Sequence, residues 1–413
     1  MTDERAGRLL RPADSSPRAT FLELFFDLVF VFALTRVSFR LIGAVDESLG
    51  ELVLEIVRTG ALFLALWLLW SITAWVTSRY EPEEGVIQFV VVGSMFGAMV
   101  MAVALPRAFE ERALPFVLGY LAVMVGRPLV MAVALRNHPR RTVPLRLGAW
   151  AVAGAVPWLA GALAPEHLRL ALWMCALAID GVGLLLGWPL PRLGPARASG
   201  WLIMGEHLAD RYQQIFLISL GETILVIGLT YSGVDFTADR AGAFAVAFVT
   251  TALLWRIYFH RAGHLLAEAL RVARSPGRLG SSAGATHLAI VVGVLSTAVG
   301  YELVIDHPYG RTDPAWLAFV VGGPALFLAA RARFEYEIFG RVSWSRVGGL
   351  LTLLLLAPAF TLGPPMVALT LVAVVLAGVA AADARRSRGR APETSASPLG
   401  HGEAGEAGFH RAP

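Results

Sequence analysis

Long apolar stretches alternate with short polar segments along nearly the whole chain of 413 residues. The hydrocarbon core of a bilayer is about 30 Å thick, and a helix needs roughly 20 apolar residues to cross it. Twelve stretches come near that length, at 21–43, 54–78, 85–105, 114–135, 146–164, 168–189, 212–232, 240–260, 284–305, 315–330, 347–363 and 365–383. The pattern predicts an all-α, polytopic membrane protein of about twelve transmembrane helices.

The composition excludes a soluble protein, and it argues against a nucleic-acid partner, an intrachain disulfide and a cysteine-based metal cluster. Hydrophobic residues make up 56% of the chain and charged residues only 16%, whereas about a quarter of the residues in a soluble domain are charged. The formal charge is +4, but the arginines form no extended basic face with interleaved aromatic residues, so no nucleic-acid partner is predicted. The single cysteine, Cys175, excludes an intrachain disulfide and a cysteine-based metal cluster.

The distribution of arginines predicts the orientation, because positive charges near helix ends stay on the cytoplasmic side. The chain has 35 arginines and no lysine, and the twelve predicted helices place 25 arginines on one side and five on the other. The remaining five lie within or at the ends of predicted helices. This asymmetry predicts a membrane protein with both termini in the cytoplasm.

Five regions follow from these patterns. The polar first segment has no signal-peptide pattern, and the last thirty residues are too polar to form a core. The predicted regions are a disordered cytoplasmic N-tail at 1–19, a first six-helix half at 20–190, a cytoplasmic connector at 191–211, a second six-helix half at 212–383 and a disordered cytoplasmic C-tail at 384–413.

The seventh predicted helix repeats part of the first. A shift of 195 residues pairs Phe21 with Phe216, Asp27 with Glu222 and Thr35 with Thr230. An even number of helices per half gives both halves the same orientation, so they would be related by an axis along the membrane normal. The alternative is that two apolar segments match by chance at a few positions.

Two segments resemble the bacterial low temperature requirement protein A (LtrA) family. The first is Phe21-Leu-Glu-Leu-Phe-Phe-Asp27-Leu-Val-Phe-Val-Phe-Ala-Leu-Thr35. The second starts at Gly205-Glu-His-Leu-Ala-Asp-Arg-Tyr212 and continues to Ile218-Ser-Leu-Gly-Glu222. The resemblance covers about residues 20 to 380. It implies a multi-pass bacterial membrane protein named for a growth requirement, and it supplies no reaction, substrate or catalytic residue.

Ionisable residues inside the predicted helices are the candidate site, because each costs about 2.5–3.5 kcal/mol at the centre of a bilayer. Asp27 and Arg127 lie at similar depths in the first and fourth helices, so a direct ion pair between them is predicted. The pair either fixes the helix register or tunes a polar cavity. Glu23 fits a capping box with Thr20, although it also shares a helix face with Asp27.

Glu222 is the strongest candidate, near the middle of the seventh predicted helix beside Gly221 and close to Ser219 and Thr223. Asp180 has a similar depth in the sixth helix. Two carboxylates facing one cavity would suit the handling of protons or cations. The alternative is a protonated carboxyl that hydrogen-bonds to a neighbouring helix.

Polar residues near the cytoplasmic helix ends complete the candidates. Glu206 and His207 begin the second family-like segment. They either line a vestibule or form the solvated cytoplasmic start of a helix. His260, His264 and Glu268 follow an i, i+4, i+8 spacing that would put three metal ligands on one helix face. A solvated interfacial helix is the alternative, since a fourth ligand is missing. His287 is predicted to reach the interface from its helix end. No cofactor is predicted.

Three functions remain open at this point. The first is a transporter or channel for a cation, proton or small solute, with a carboxylate-lined pathway between the halves. The second is an intramembrane enzyme acting on a lipid or isoprenoid, which would use Glu206, His207, His260 and His264. The third is a non-catalytic structural or stress-adaptation protein. The lipid bilayer is the common partner, and no sequence pattern specifies an oligomeric state.

Overall fold

The structure is a computed structural model that describes residues 7–11, 18–191, 205–260, 262–273 and 276–388. Within these ranges the chain is helical, with an isolated β-bridge between Leu10 and Tyr80. The all-α prediction is therefore confirmed. The chain divides into two compact units, Met1–Met204 and Gly205–Pro413.

The first unit contains seven α-helices among its described residues. A single break separates the fourth from the fifth, so the seven helices correspond to the first six predicted stretches. They are α1 (Phe21–Ile42), α2 (Leu49–Thr77), α3 (Gly85–Ala104), α4 (Ala113–Met124), α5 (Gly126–Ala134), α6 (Thr142–Leu163) and α7 (Glu166–Leu186).

The second unit contains eight α-helices in the part that the structure describes. Its core is formed mainly by apolar side chains of α8, α9, α11, α13 and α15, with smaller contributions from α12 and α14. The helices are α8 (Gly205–Ser232), α9 (Ala238–Phe259), α10 (Ala262–Val272), α11 (Pro276–Asp306), α12 (Leu317–Val320), α13 (Gly322–Phe339), α14 (Trp344–Phe360) and α15 (Pro365–Ser387).

Ten helical segments in the described ranges are long and apolar enough to cross a membrane. They coincide with ten of the twelve predicted stretches, which confirms a multi-pass protein but not the count of twelve. The other two stretches form α1 and α14. The first contains four ionisable residues. The second has 17 residues, which at 1.5 Å per residue is about 25 Å and lies at the lower limit for a spanning helix.

Two predicted boundaries differ from the observed helices. Helix α8 begins at Gly205 rather than at Tyr212, inside the predicted connector. A Cβ atom on Gly205 would lie 2.6 Å from Leu270 Cβ, so the first turn of α8 packs directly on α10. Helix α15 continues to Ser387. The rest of the predicted C-tail, from residue 389, lies outside the described residues.

Part of the predicted N-tail is ordered. The backbone N–H of Arg11 donates to Arg79 O at 3.0 Å, and Glu81 N–H donates to Leu9 O at 3.0 Å. Leu9 is buried. Residues 7–11 therefore do not fit the prediction of a disordered tail, because they gain backbone hydrogen bonds and apolar burial that the composition did not indicate. Residues 1–6 and 12–17 lie outside the described ranges.

The fourth predicted helix of each half is interrupted at an equivalent point. Helix α4 ends before Val125, and α12 ends before Val321. Proline follows three residues after each valine, as Pro128 and Pro324. Proline has no N–H, and its ring clashes with the carbonyl four residues earlier, which is the last residue of α4 or α12. The shared break supports the repeat, which remains a prediction.

Glycines allow close packing between α3 and α4. A Cβ atom on Gly97 would lie 2.8 Å from Gly119 O, and one on Gly119 would lie 2.9 Å from Gly97 O. Gly93 precedes Gly97 by one helical turn, but a Cβ atom there would have no neighbour within 4 Å. The close approach therefore depends on Gly97 and Gly119, not on Gly93.

We expect Gly97→Ala to lower the free energy of unfolding by about 1–3 kcal/mol, as overpacking of a filled interior does. Gly93→Ala is the matched control on the same helix. It should be neutral or stabilise the protein by up to about 1 kcal/mol, because alanine favours helix over glycine. Unfolding by denaturing detergent in mixed micelles measures both. Equal stability of the two variants would contradict the packing of α3 on α4.

Candidate functional site

Glu23 belongs to a capping box at the start of α1. The backbone N–H and the hydroxyl of Thr20 donate to Glu23 Oε2 at 2.9 and 3.0 Å, and Thr20 Oγ1 accepts from Glu23 N–H. The capping prediction is confirmed. Glu23 satisfies terminal N–H groups of α1, and its negative charge lies at the positive end of the helix dipole.

Asp27 lies one turn deeper in α1 and is bound by a tryptophan of α2. The indole N–H of Trp70 donates to Asp27 Oδ1 at 3.0 Å. Both side chains are buried. A buried indole requires an acceptor for its N–H, so this contact fixes the facing sides of α1 and α2.

Arg127 lies directly after the break between α4 and α5 and is 6% exposed. Its Nη1 donates to Thr73 Oγ1 at 2.8 Å, and its Nη2 lies 3.4 Å from Met124 Sδ. The predicted direct ion pair with Asp27 is wrong. Trp70 and Thr73, one turn apart on α2, bind the two charged side chains separately.

Asp180 receives a hydrogen bond from an aromatic side chain of α4. Tyr120 Oη donates to Asp180 Oδ2 at 2.8 Å. Tyr120 is buried and interacts electrostatically with both Asp180 and Arg127. A Cβ atom on Gly154 of α6 would lie 3.4 Å from Asp180 Oδ1, so the small residue leaves room for the carboxylate between the helices.

The first unit thus holds three hydrogen-bonded pairs of polar side chains, which we call together the polar row. It joins four of the helical segments predicted to lie in the membrane and includes three of the residues predicted from sequence. Its members are Asp27, Trp70, Thr73, Arg127, Tyr120 and Asp180. Among the described residues, neither Arg127 nor Asp180 forms an ion pair.

Glu222 lies in the second unit and is fully buried in α8. The next residue, Thr223, has its hydroxyl 3.0 Å from that of Thr251 on α9, and Thr251 Oγ1 lies 3.4 Å from Tyr301 Oη on α11. A Cβ atom on Gly221 would have no neighbour within 4 Å. The hydroxyl groups of Thr223, Thr251 and Tyr301 therefore lie near one another, and Gly221 makes no close helix approach.

The first turns of α8 carry the predicted Glu-His pair. Glu206 is half-buried, whereas His207 is fully buried. One turn later Arg211 Nη1 donates to Gln214 Oε1 at 2.7 Å, and Gln214 Nε2 donates to Asp210 Oδ2 at 2.9 Å. The segment is a packed part of α8 and not a solvated helix start.

His260, His264 and Glu268 do not lie on one helix face. Helix α9 ends at Phe259, His260 has extended backbone, and α10 starts at Ala262. His260 therefore lies outside the helix that carries the other two residues, and the side chain of His264 lies outside the described residues. No group of three His, Cys, Asp or Glu residues suited to a metal occurs in the part of the chain that was described.

His287 is fully buried in α11 rather than at an interface. Its Nδ1 lies 2.7 Å from Ala283 O, and its Nε2 lies 2.8 Å from Tyr258 Oη. A carbonyl only accepts, so Nδ1 carries the proton and Nε2 accepts from the tyrosine. The ring also stacks on Tyr212 at 4.7 Å between centroids. The prediction that His287 reaches the interface is wrong, since a partner satisfies each ring nitrogen.

A cluster of ion pairs at the ends of α13, α14 and α15 was not predicted. Arg346 Nη1 and Nη2 donate to Asp383 Oδ1 and Oδ2 at 3.2 and 2.9 Å. Arg346 Nη1 also lies 3.2 Å from Glu335 Oε2. Arg346 and Asp383 are buried. The arrangement is a fork-to-fork pair that fixes helix register.

Two groups between α2 and α3 have shifted pKa values. Burial raises the pKa of Tyr80, and it lowers the pKa of Arg79. The Arg79 guanidinium carbon lies 5.9 Å from the centre of the Tyr80 ring. Both residues belong to the segment that pairs with residues 7–11, so the shifts reflect its packing under the N-terminal segment.

The helices and the buried ionisable groups define a multi-pass α-helical membrane protein with polar side chains inside its units. Residues 18–381 match the family described as bacterial low temperature requirement A protein (LtrA), and the chain belongs to this family. It is similar to the uncharacterized protein RA0937 of Rhizobium meliloti (strain 1021), with 34% identity over 369 residues, covering 88% of each chain. No solved structure matches the chain.

Proposed function

We propose that this LtrA family member moves protons across the bacterial inner membrane by way of its buried carboxylates. The observation that carries the proposal is the polar row of the first unit, in which Arg127 and Asp180 lie among hydrogen-bonding side chains without an ion pair in the described residues. Charges inside a bilayer require a partner, a polar cavity or a function.

The buried Arg346 of the second unit is neutralised differently from the buried Arg127 of the first. Arg346 is 2% exposed and satisfies Asp383 through a fork-to-fork pair, which is how a structural buried charge is neutralised. Arg127 has a similar exposure of 6% but donates to a neutral hydroxyl. A charge that is retained without direct neutralisation supports a functional role for Arg127.

The chemistry of the polar row favours a proton over a metal cation. A tyrosine hydroxyl both donates and accepts hydrogen bonds, so Tyr120 can pass a proton to and from Asp180. The positive charge of Arg127 disfavours a Na⁺ or K⁺ ion beside Tyr120. Trp70 has only an N–H donor, so it positions Asp27 and does not itself carry protons.

The corresponding group in the second unit is Glu222. It is fully buried. The hydroxyl of the next residue, Thr223, contacts that of Thr251, which in turn contacts the hydroxyl of Tyr301. Hydroxyl groups of this kind can relay a proton, because each has one donor and two acceptor sites. The predicted repeat relates Glu222 to Asp27, so each half would contribute one carboxylate from its first helix.

We expect Asp180→Asn to reduce proton flux at least about tenfold, because an amide cannot release a proton at neutral pH. The measurement is acidification of the interior of proteoliposomes under an imposed pH gradient, reported by an enclosed pH-sensitive dye. Valinomycin and K⁺ clamp the membrane potential. Glu166→Gln is the matched control. It lies on the same helix, α7, with its side chain 53% exposed, and should leave the flux unchanged.

Equal flux through wild type and Asp180→Asn, at equal amounts of folded protein in the vesicles, would contradict this role of Asp180. A flux of Na⁺ or K⁺ without protons would contradict the choice of ion. A second arm therefore uses the same proteoliposomes without valinomycin, with an imposed Na⁺ or K⁺ gradient and no pH gradient.

A further inference from the structure

Five buried aromatic side chains pack together in the first unit. They come from the connection between α3 and α4 and from α4, α6 and α7. The members of this aromatic cluster are Phe109, Phe116, Tyr120, Trp158 and Trp173, and each is at most 1% exposed. Neighbouring ring centroids lie 4.9–6.4 Å apart, a separation at which aromatic pairs attract each other.

Tyr120 belongs both to the aromatic cluster and to the polar row. Its ring centroid lies 5.0 Å from that of Trp158, and its hydroxyl donates to Asp180 Oδ2 at 2.8 Å. Phe116 precedes Tyr120 by one turn of α4, and Phe109 lies in the connection before α4. The aromatic cluster therefore extends from the polar row to the α3–α4 connection.

The α3–α4 connection lies at the end of the first unit opposite to the start of α1. Arg40, in the last turn of α1, donates to Pro106 O in this connection, whereas Glu23 lies in the first turn of α1. The predicted orientation puts the start of α1 on the cytoplasmic side. Phe109 therefore marks the outer end of the aromatic cluster.

Three arginines from three helices hold Phe109 in place. The guanidinium carbons of Arg40 and Arg58 lie 5.7 and 5.3 Å from the centre of its ring. Both arginines pair with Glu55, at 2.6 and 2.8 Å. Arg169 of α7 donates to Phe109 O. The α3–α4 connection is thus fastened to α1, α2 and α7.

The aromatic cluster is a poor route for water and protons. A phenyl ring has no hydrogen-bonding group, and an indole has only a donor. The indole N–H of Trp173 donates to Trp158 O at 3.1 Å, so it is already engaged. Hydrophobic constrictions close channels by excluding water. Passage between Phe109 and Tyr120 therefore requires the rings to separate.

We propose that the aromatic cluster is a gate that closes the polar row to the outer side of the membrane. The proposal rests on the proposed function, because it treats the polar row as a pathway. It assigns to Phe109, Phe116, Trp158 and Trp173 the control of access to Tyr120 and Asp180.

The test measures access to the polar row by thiol labelling of the full chain in sealed spheroplasts and in inverted membrane vesicles. The probe is Met124→Cys in a Cys175→Ser background, because Met124 Sδ lies 3.4 Å from Arg127 Nη2 and Cys175 is exposed. The reagent is a membrane-impermeant, anionic methanethiosulfonate. With the aromatic cluster intact, labelling in spheroplasts should be slow compared with that of denatured protein.

Phe116→Ala should be labelled at least about tenfold faster in spheroplasts, because the loss of a buried ring lowers the free energy of local opening. Phe116→Val provides the same test if the alanine variant does not fold. Phe96→Ala is the matched control, since Phe96 is 73% exposed on α3 and lies outside the aromatic cluster. Its labelling should stay slow.

Fast labelling in spheroplasts with the aromatic cluster intact would overturn the gate. Equal rates for the Phe116 and Phe96 variants, or an increase confined to inverted vesicles, would do so as well. Labelling does not require proton transport. The expected labelling pattern in a protein without proton flux would therefore contradict the proposed function alone, and flux with fast labelling of the intact cluster would contradict the gate alone.

Discussion

Arg346→Met is expected to lower the free energy of unfolding by about 3–5 kcal/mol, the usual cost of removing one partner of a buried ion pair. Methionine preserves most of the side-chain volume, so the loss isolates the charge. Asp383 is 3% exposed and would keep only the Ser345 hydroxyl among its present side-chain donors. Unfolding by denaturing detergent in mixed micelles, followed by tryptophan fluorescence, measures the effect.

Arg107→Met is the control for an exposed ion pair. Arg107 Nη1 lies 2.7 Å from Glu111 Oε1, and the two side chains are 58% and 56% exposed. Such an exposed pair contributes little to stability, so Arg107→Met should leave the free energy of unfolding nearly unchanged. The double variant Arg346→Met/Asp383→Leu should recover part of the loss, because an apolar pair of similar volume replaces a buried ion pair at little cost. A loss below 1 kcal/mol for Arg346→Met would contradict the structural assignment.

Arg127→Met is expected to have little effect on stability and a large effect on proton flux. Its unfolding free energy should change by less than about 1 kcal/mol or increase, because no carboxylate loses an ion-pair partner. Thr73 Oγ1 also donates to Leu69 O at 2.7 Å, so its hydroxyl keeps a partner. Proton flux should fall at least about tenfold, because the variant removes the positive charge that interacts electrostatically with Tyr120, the donor to Asp180.

Proton flux and the free energy of unfolding are measured on the same preparations of Arg127→Met. Arg127→Lys is the conservative control, since it keeps the charge but not the fork, and should retain part of the flux. A loss of several kcal/mol in stability with unchanged flux would make Arg127 a structural residue and remove the main support for the polar row as a functional site.

The helical fold was predictable because length and hydropathy determine which segments can cross a bilayer. The capping box of Thr20 and Glu23 was also predictable, since it depends only on residues three apart in sequence. The break at His260 was not, because a spacing of four residues indicates one helix face only while the helix continues. The structure ends α9 at Phe259.

Contacts between helices were predicted less well. Asp27 and Arg127 have similar depths, but depth does not specify which helix lies between two side chains, and α2 supplies Trp70 and Thr73 there. Tyr120 was missed because an aromatic residue in an apolar run resembles a core residue. The ion pairs of Arg346 were missed because the predicted apolar stretches stop at 330 and resume at 347, whereas α13 continues to Phe339 and α14 begins at Trp344.

The most direct test of the account is proton flux by the wild-type protein in proteoliposomes, compared with protein-free vesicles under the same pH gradient and clamped potential. The account predicts a flux above that of empty vesicles which is lost in Asp180→Asn and retained in Glu166→Gln. A wild-type flux equal to that of empty vesicles, with folded protein present in the membrane, would contradict it.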